Sequence, residues 1–162
     1  MKGFNHEERE GREGHEEDHE EDHEEDPFSI KRMRTASPLS PEAEQAMHAT
    51  IGCAIAVHRS LGPGFLESIY RKAMCIELEA RKLAFDCERS VDVVYRGVPI
   101  SGQRIDLIIE GLIVVELKAV AAFEEIHRAQ VISYLKTMGL RGGLLINFRV
   151  RVLKDGLRRI VL

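Results

Sequence analysis

The chain has 162 residues, of which 44% are hydrophobic, 6% aromatic and 31% charged. This length and composition fit one globular domain with a sizeable core. The sequence has no run of 18 apolar residues and no apolar segment after its N-terminus, which argues against a membrane span and a secretory signal. Its three cysteines, Cys53, Cys75 and Cys87, are odd in number and separated in sequence, so we expect reduced thiols in a cytoplasmic protein.

Charge divides the chain into two parts. Residues 1–26 contain thirteen acidic and three basic side chains, a net charge of −10, whereas residues 27–162 have a net charge of +6. The acidic part includes three tandem copies of HEED and cannot bury apolar area. We therefore predict a disordered acidic tail and linker over residues 1–39 and a folded domain over residues 40–162. The positive charge of that domain is compatible with a polyanionic partner.

The first predicted elements are two helices. Ser40 is a good helix cap and Pro41 suits the first helical position, so a helix is predicted from there to about Leu61. The sequence Gly-Pro-Gly ends this helix, and a second helix is predicted over about residues 65–82.

Strands dominate the next part of the chain. Four are predicted, with turns at Arg96-Gly97 and Glu110-Gly111, over about residues 85–89, 91–95, 103–109 and 113–120. A third helix over about residues 124–138 is followed by two strands, at about 143–148 and 157–162. The order ααββββαββ predicts an α+β fold in which helices flank one central mixed sheet.

Three charged residues lie among the aliphatic residues of the predicted strands: Asp106, Glu116 and Lys118. A charge in that setting is costly unless it is paired or bound to a metal. Residues two apart on a strand share a face, so Glu116 and Lys118 are neighbours. One interpretation is an exposed ion pair, which would contribute only roughly 0–1 kcal/mol.

The length of the hairpin loop decides whether Asp106 belongs to this group. With a loop of Glu110 and Gly111 alone, Asp106 would oppose Val115 and face away from Glu116. With a three-residue loop centred on Gly111, Asp106 would oppose Glu116 directly. Two opposed carboxylates repel each other unless a cation joins them, and a hard divalent ion is the natural partner.

Two helices provide further polar candidates. Glu67 lies in the first turn of the second helix, where an acid also complements the helix dipole by about 0.3–1 kcal/mol. Tyr70, one turn later, is placed to orient it through a hydrogen bond. On the third helix His127, Gln130 and Tyr134 share one face, which fits either a solvated helix flank or a lined cleft.

Together these positions resemble the PD-(D/E)XK nuclease superfamily. The resemblance rests on Asp106, on Glu116-x-Lys118 in the next strand and on Gln130-x-x-x-Tyr134 in the following helix. The proline that names the superfamily is replaced by isoleucine at position 105.

A narrower resemblance is to the GxxExxY protein family. The stretch GPGFLESIY matches its signature at Gly64, Glu67 and Tyr70, and the later stretches VVELKAV, HRAQVISYLK, GLLINF and LKDGLRRIV are similar to the family in the same order. The resemblance covers about residues 47–162.

The resemblance implies a restriction-endonuclease-like fold with a metal site at a bent hairpin. Asp106, Glu116 and Glu67 would bind Mg²⁺ or Mn²⁺. Lys118 would position or activate the attacking water, or stabilise the charge of the transition state. A further group would contact the substrate or brace the site: Gln130, Tyr134, Tyr70 and His127.

The implied activity is metal-dependent hydrolysis of phosphodiester bonds in DNA, or in RNA, by a nuclease. The alternative is a catalytically silent nuclease-fold module that binds nucleic acid or a partner protein, since a fold does not fix a function. Catalysis is favoured because, apart from the variable position 105, every motif position holds the expected residue type. A homodimer is left open, and no membrane partner is expected.

Overall fold

The computed structural model describes residues 37–162. The predicted acidic tail therefore lies outside the described residues, apart from the end of the linker. The described elements, in chain order, are α1 (Pro41–Leu61), α2 (Glu67–Ala80), β1 (Phe85–Tyr95), β2 (Val98–Ile109), β3 (Ile113–Lys118), α3 (Glu125–Met138), β4 (Gly142–Asn147), a 3-10 turn (Leu153–Gly156) and β5 (Leu157–Val161).

Helix α1 begins and ends where its capping residues predict. The Ser40 hydroxyl accepts a hydrogen bond from the Ala43 N–H at 3.2 Å, which pairs one of the free donors of the first turn. At the other end Gly62 has a φ of 69°, and its N–H donates to the carbonyl oxygen of His58 at 2.8 Å. A glycine suits this conformation because it has no Cβ to clash.

The five strands form one mixed sheet in the order β1-β2-β3-β4-β5. Strands β3 and β4 are parallel, and the other neighbouring pairs are antiparallel. Parallel neighbours need a long crossover, which α3 supplies. The predicted α+β class with a central mixed sheet is confirmed.

The predicted element order is wrong at one place, because residues 85–95 form one strand and not two. The polar run Glu88-Arg89-Ser90 suggests a break, but the ladder to β2 continues through it, with Ser90 opposite Arg104. Within this strand Glu88 has a positive φ, 53°. The observed order is therefore ααβββαββ.

Two hydrophobic cores lie on opposite faces of the sheet, because alternate residues of a strand point to opposite sides. In β3, Val115 and Leu117 belong to the larger core, which α1 and α2 cover. Val114 belongs to the smaller core beneath α3, together with Val131 and Leu135. Glu116 alternates with Val115 and Leu117 along β3 and therefore lies on the same face as Val114.

None of the helices described in residues 37–162 combines the length and the apolar content that crossing a bilayer requires.

Candidate active site

A polar cavity of about 490 Å³ lies where α2, α3 and the strands β1 to β3 meet. Five of the predicted site residues line it: Glu67, Asp106, Glu116, Lys118 and Gln130. Tyr70, His127 and Tyr134 are not among its lining residues.

The hairpin that joins β2 to β3 has the three-residue loop. Ile109 pairs with Ile113, and Gly111 between them has a φ of 66°. The same register, continued beyond the last ladder pair, brings Asp106 opposite Glu116. Of the two loop lengths that the sequence allowed, the structure therefore has the one that brings the two carboxylates into one cavity.

Strand β2 bends at Asp106. Ile105 and Ile108 both pack in the smaller core, although an odd spacing on a straight strand would send them to opposite faces. The regular ladder to β3 stops at Leu107, and one carboxylate oxygen of Asp106, Oδ2, instead accepts a hydrogen bond from the Leu117 N–H at 2.9 Å. The bend fixes this carboxylate to the backbone of the neighbouring strand.

Glu116 and Lys118 form a buried ion pair. Lys118 Nζ lies 2.5 Å from Glu116 Oε1, and Glu116 is only 3% exposed. Burial, together with the negative charge of Asp106, raises the pKa of Glu116 to about 7, although the hydrogen bond and the positive charge of Lys118 lower it. Burial alone would lower the pKa of Lys118, but the hydrogen bond and charge of Glu116 outweigh it, so that pKa is raised.

Two oxygen atoms in the cavity wall have no hydrogen-bond partner. They are Oε2 of Glu116 and Oε1 of Gln103. Among the buried side-chain polar atoms of residues 37–162, these two lack a hydrogen-bond partner. Buried polar groups are usually paired, and leaving one unpaired costs roughly 1–3 kcal/mol. Since both atoms are acceptors, this wall of the cavity is suited to a cation or a hydrogen-bond donor.

Arg71 and Glu88 belong to the site but were missed by the sequence analysis. Arg71 Nη1 lies 3.2 Å from Asp106 Oδ1, and its Nη2 lies 2.9 Å from Glu88 Oε1. The pairs on either side place Glu88 opposite Asp106 across β1 and β2. One signal was available, because Arg71 is one helical turn after Glu67 and therefore on the same side of α2.

Comparison with known proteins agrees with this geometry. Residues 44–160, most of the chain, match the model of the PD-(D/E)XK nuclease superfamily. The chain belongs to this superfamily. No curated protein and no solved structure matches it. The predicted superfamily is thus confirmed, and the mixed sheet with its flanking helices is the restriction-endonuclease-like fold. The narrower GxxExxY family stays a prediction.

Domains of the PD-(D/E)XK superfamily usually bind a divalent metal. In residues 37–162 no group of three or more histidine, cysteine, aspartate or glutamate side chains is arranged to hold an ion. However, Mg²⁺ is commonly bound by one or two carboxylates together with waters and substrate phosphates. The unpaired Oε2 of Glu116 and the fixed carboxylate of Asp106 therefore match its donor chemistry.

Glu67 faces the cavity from the first residue of α2. Burial raises the pKa of this carboxyl group, while the positive charge of Lys118 lowers it and the negative charge of Asp106 raises it again. Glu67 therefore senses both charged neighbours electrostatically and retains a stronger hold on its proton than a free glutamate.

Tyr70 does not orient Glu67 as the sequence suggested. Its hydroxyl donates to the carbonyl oxygen of Gly62 at 2.7 Å and accepts from the N–H of Phe65 at 3.2 Å. The buried ring stacks on Phe148 with centroids 4.4 Å apart. Tyr70 thus fixes the loop that leads directly into Glu67, the first residue of α2.

The polar residues of α3 make two separate sets of hydrogen bonds. Gln130 Nε2 donates to the Tyr134 hydroxyl at 2.7 Å, and that hydroxyl donates to the carbonyl oxygen of Arg104 at 2.9 Å. These two hydrogen bonds connect α3 to strand β2 next to its bend. His127 instead caps the helix, because its Nδ1 accepts from the N–H of Glu124 at 3.0 Å.

Proposed function

We propose that this domain is a metal-dependent nuclease that hydrolyses phosphodiester bonds in DNA, and that it is of the GxxExxY type. The observation that supports this most directly is the pair of unpaired buried acceptors, Glu116 Oε2 and Gln103 Oε1, in a cavity that also contains Asp106 and Lys118. Buried acceptors without a protein partner are available to a bound ion, a donor on a substrate or a metal-bound water.

Glu116 and Asp106 would hold Mg²⁺ or Mn²⁺, and Glu67, which lines the same cavity, would complete the set of carboxylates. When bound, such an ion supplies positive charge to a phosphoryl oxygen and lowers the pKa of bound water. The backbone N–H of Leu117 holds Asp106 Oδ2 in place, so that this carboxylate is already oriented. The pKa of Glu116, about 7, means that protons compete with the cation at neutral pH.

Lys118 is suited to stabilise charge and not to remove a proton. Its raised pKa keeps the ammonium group charged at neutral pH. With Glu116 as its partner, Nζ is held at the cavity wall, where a phosphate would meet a compact positive charge. Of the roles implied by the superfamily, stabilisation of the transition-state charge is therefore the one we propose for it.

Gln130 and Tyr134 would orient the substrate side of the cavity. Gln130 lines the cavity, and its hydrogen bond to Tyr134 uses Nε2, so its side-chain oxygen is available to a substrate. Burial raises the pKa of Tyr134, so its hydroxyl remains a donor to the Arg104 carbonyl. The contact holds the backbone that enters the bend at Asp106.

One observation favours a second function, a catalytically silent module that binds nucleic acid. Arg71 already gives Asp106 a positive partner, and the N–H of Leu117 occupies its other oxygen. The protein thus compensates this carboxylate with its own side chain. In the silent module Arg71 would keep this position permanently, whereas in the nuclease it yields Asp106 to the metal.

A cleavage assay separates the two functions. Single-stranded DNA, double-stranded DNA and RNA are incubated with the protein in Mg²⁺, Mn²⁺ or EDTA, beside Asp106→Ala and Lys118→Ala. We expect metal-dependent cleavage that falls by at least about 100-fold in each variant, comparable to the loss of one transition-state contact.

Matched controls are available on the exposed surface. Asp86→Ala changes an aspartate whose side chain is 52% exposed, and Lys154→Ala changes an exposed lysine. Both should cleave like the wild type. Cleavage that persists in Asp106→Ala and Lys118→Ala would exclude this site, and DNA binding without cleavage under every metal condition would establish the silent module.

A further inference from the structure

Two cysteines from different elements meet beside the candidate site. Cys75 of α2 and Cys87 of β1 are twelve residues apart in sequence, yet their sulfur atoms are 3.3 Å apart. Both are free thiols, with Cys75 partly buried and Cys87 exposed. Neither lines the cavity. The spacing of the cysteines in the sequence gives no sign of this contact.

We propose that Cys75 and Cys87 are a modification site at which a peroxide forms a disulfide between α2 and β1. A disulfide has a sulfur–sulfur distance of about 2.05 Å, so the two atoms must approach by little more than about 1 Å. They already form a thiol–thiol hydrogen bond, with Cys75 donating to Cys87. The inference concerns these thiols alone and does not rest on the proposed nuclease activity.

Exposure assigns different roles to the two thiols. Cys87 is open to solvent and meets the oxidant first. Burial and the hydrogen bond to Cys87 raise the pKa of Cys75 to about 12, so this group remains a thiol at neutral pH and is the slower nucleophile. Cys75 therefore resolves the oxidised Cys87 in the second step.

The two steps balance with one peroxide per disulfide. In the first, Cys87 Sγ attacks the peroxide oxygen, the O–O bond breaks, and a sulfenic acid and one water form from hydrogen peroxide. In the second, Cys75 Sγ attacks the sulfur of that sulfenic acid, the S–O bond breaks, and the thiol proton leaves with the oxygen as a second water. The two thiols lose two electrons in total, and the peroxide gains them.

The third cysteine provides an internal control. Cys53 is fully buried in the larger core and has no cysteine contact. It should keep its thiol after oxidation and react with alkylating reagents only when the protein unfolds. Any intramolecular disulfide that includes Cys53 would therefore contradict the structure.

Peptide mapping tests the proposal. The full chain is treated with hydrogen peroxide in the presence of a metal chelator, alkylated after unfolding and digested with trypsin without reduction. Cys75 lies in the tryptic peptide 73–81, Cys87 in 83–89 and Cys53 in 35–59. We expect peptides 73–81 and 83–89 to be linked, at a mass about 2 Da below their sum, and peptide 35–59 to be alkylated.

Stability gives a second readout. A cross-link that closes a short loop restricts the unfolded chain, so the oxidised protein should melt several degrees higher, and a reducing agent should reverse the rise. Cys75→Ser and Cys87→Ser should each abolish the rise. In Cys75→Ser the sulfenic acid on Cys87 has no partner and should be trapped by dimedone.

Three results would overturn the proposal. They are three free thiols per chain after peroxide treatment, disulfides only between separate chains, and a sulfenic or sulfinic acid on Cys87 in the wild type with no linked peptides. The first and third are visible in the same digest, and disulfides between chains appear as covalent dimers on a non-reducing gel of the oxidised protein, so a variant that fails to fold does not prevent a decision.

Discussion

Two buried polar residues on neighbouring strands, Asn147 and Glu116, differ in how completely the protein pairs them. Asn147 is 1% exposed and Glu116 is 3% exposed. Asn147 Oδ1 accepts from the N–H groups of Val120 and Arg149, both at 3.1 Å, and its Nδ2 donates to the Val120 carbonyl oxygen at 2.8 Å. Glu116 is bonded only through Oε1, to Lys118.

The difference separates a structural polar residue from a functional one. Asn147 supplies hydrogen-bond partners to the backbone of the segment after β3, where no neighbouring strand does. Both the oxygen and the nitrogen of its side chain are therefore hydrogen-bonded to protein groups. Glu116 has one oxygen without any partner and a pKa raised to about 7, so its environment is incomplete without a ligand. Burial and polarity alone would have grouped the two residues together.

The largest expected effect is a loss of stability when Asn147, the fully hydrogen-bonded residue of the pair, is replaced. Asn147→Ala removes three hydrogen bonds of a buried side chain and leaves the backbone groups of half-buried Val120 and exposed Arg149 without their protein partner. We expect the free energy of unfolding to fall by about 3–5 kcal/mol, measured by urea denaturation. A loss below about 1 kcal/mol would mean that water replaces the amide and that Asn147 is not a structural residue.

Glu116→Gln should act in the opposite direction. The Glu116 carboxyl group has a pKa of about 7 when folded and 4.5 as its ordinary value. The folded protein therefore holds this proton more tightly. Its contribution to stability is full below about pH 4.5 and is lost as the pH rises through 7. We expect Glu116→Gln to match the wild type near pH 4 and to exceed it by roughly 2–3 kcal/mol at pH 8.

The measurement is the free energy of unfolding of both proteins across this pH range, with a chelator present. The difference between the two curves reports the Glu116 carboxyl group together with the neighbours whose pKa it raises, chiefly Lys118, because the more distant titrating groups are common to both. Parallel curves would show that the carboxyl group titrates normally and is not held in an incomplete site. Added Mg²⁺ should stabilise only the wild type.

Arg71 and Glu88 should have opposite effects on metal affinity. Arg71→Met removes the guanidinium 3.2 Å from Asp106, so Mn²⁺ should bind about tenfold more tightly, a gain of about 1.4 kcal/mol. Glu88→Gln removes the other partner of Arg71, which leaves the guanidinium to Asp106, so Mn²⁺ should bind several-fold more weakly.

Isothermal titration calorimetry measures both changes, and Arg71→Lys should return the affinity towards that of the wild type. Partial unfolding would lower the Mn²⁺ affinity of both variants. A rise in one variant and a fall in the other therefore cannot be caused by unfolding. If the wild type and Asp106→Asn take up Mn²⁺ equally, the proposed metal site is wrong. If the wild type binds specifically but both variants shift in one direction, only the role of Arg71 is wrong.

The sequence predicts the parts of the site that local pattern controls. The spacing of Asp106, Glu116 and Lys118, with Gly111 between the strands, gives the carboxylate pair once the loop length is known. The caps of α1 follow from Ser40 and the glycine after the helix. These features depend on neighbours within one turn or one hairpin, which the chain itself displays.

The missed residues depend on longer contacts. From the turn after Tyr95, Glu88 should oppose Ile105, but the irregularity between Val91 and Val93 shifts the register by one and brings Glu88 opposite Asp106. Arg71 meets Asp106 across 35 residues only because α2 packs on the sheet at a particular angle. Neither a bulge nor a docking angle is visible in hydrophobic periodicity.

The smallest expected effect concerns the loop before α2. There a fully hydrogen-bonded residue, Tyr70, contacts the segment that leads to Glu67 of the candidate site. Tyr70→Phe keeps the ring stacked on Phe148 and removes only the hydroxyl that bonds Gly62 and Phe65. We expect a loss of only about 0.5–1 kcal/mol in the free energy of unfolding, because water can reach half-buried Gly62 and exposed Phe65. Because this loop positions Glu67, kcat should also fall several-fold while KM changes little.

Tyr95→Phe is the matched control, since this tyrosine is 61% exposed and lies at the far end of the β1–β2 hairpin. It should leave both stability and cleavage unchanged. If Tyr70→Phe lowers stability but not kcat, the hydroxyl is structural in the same sense as Asn147. If kcat falls as expected, the hydrogen bonds of the Tyr70 hydroxyl order the loop before α2 and thereby position Glu67 in the candidate site.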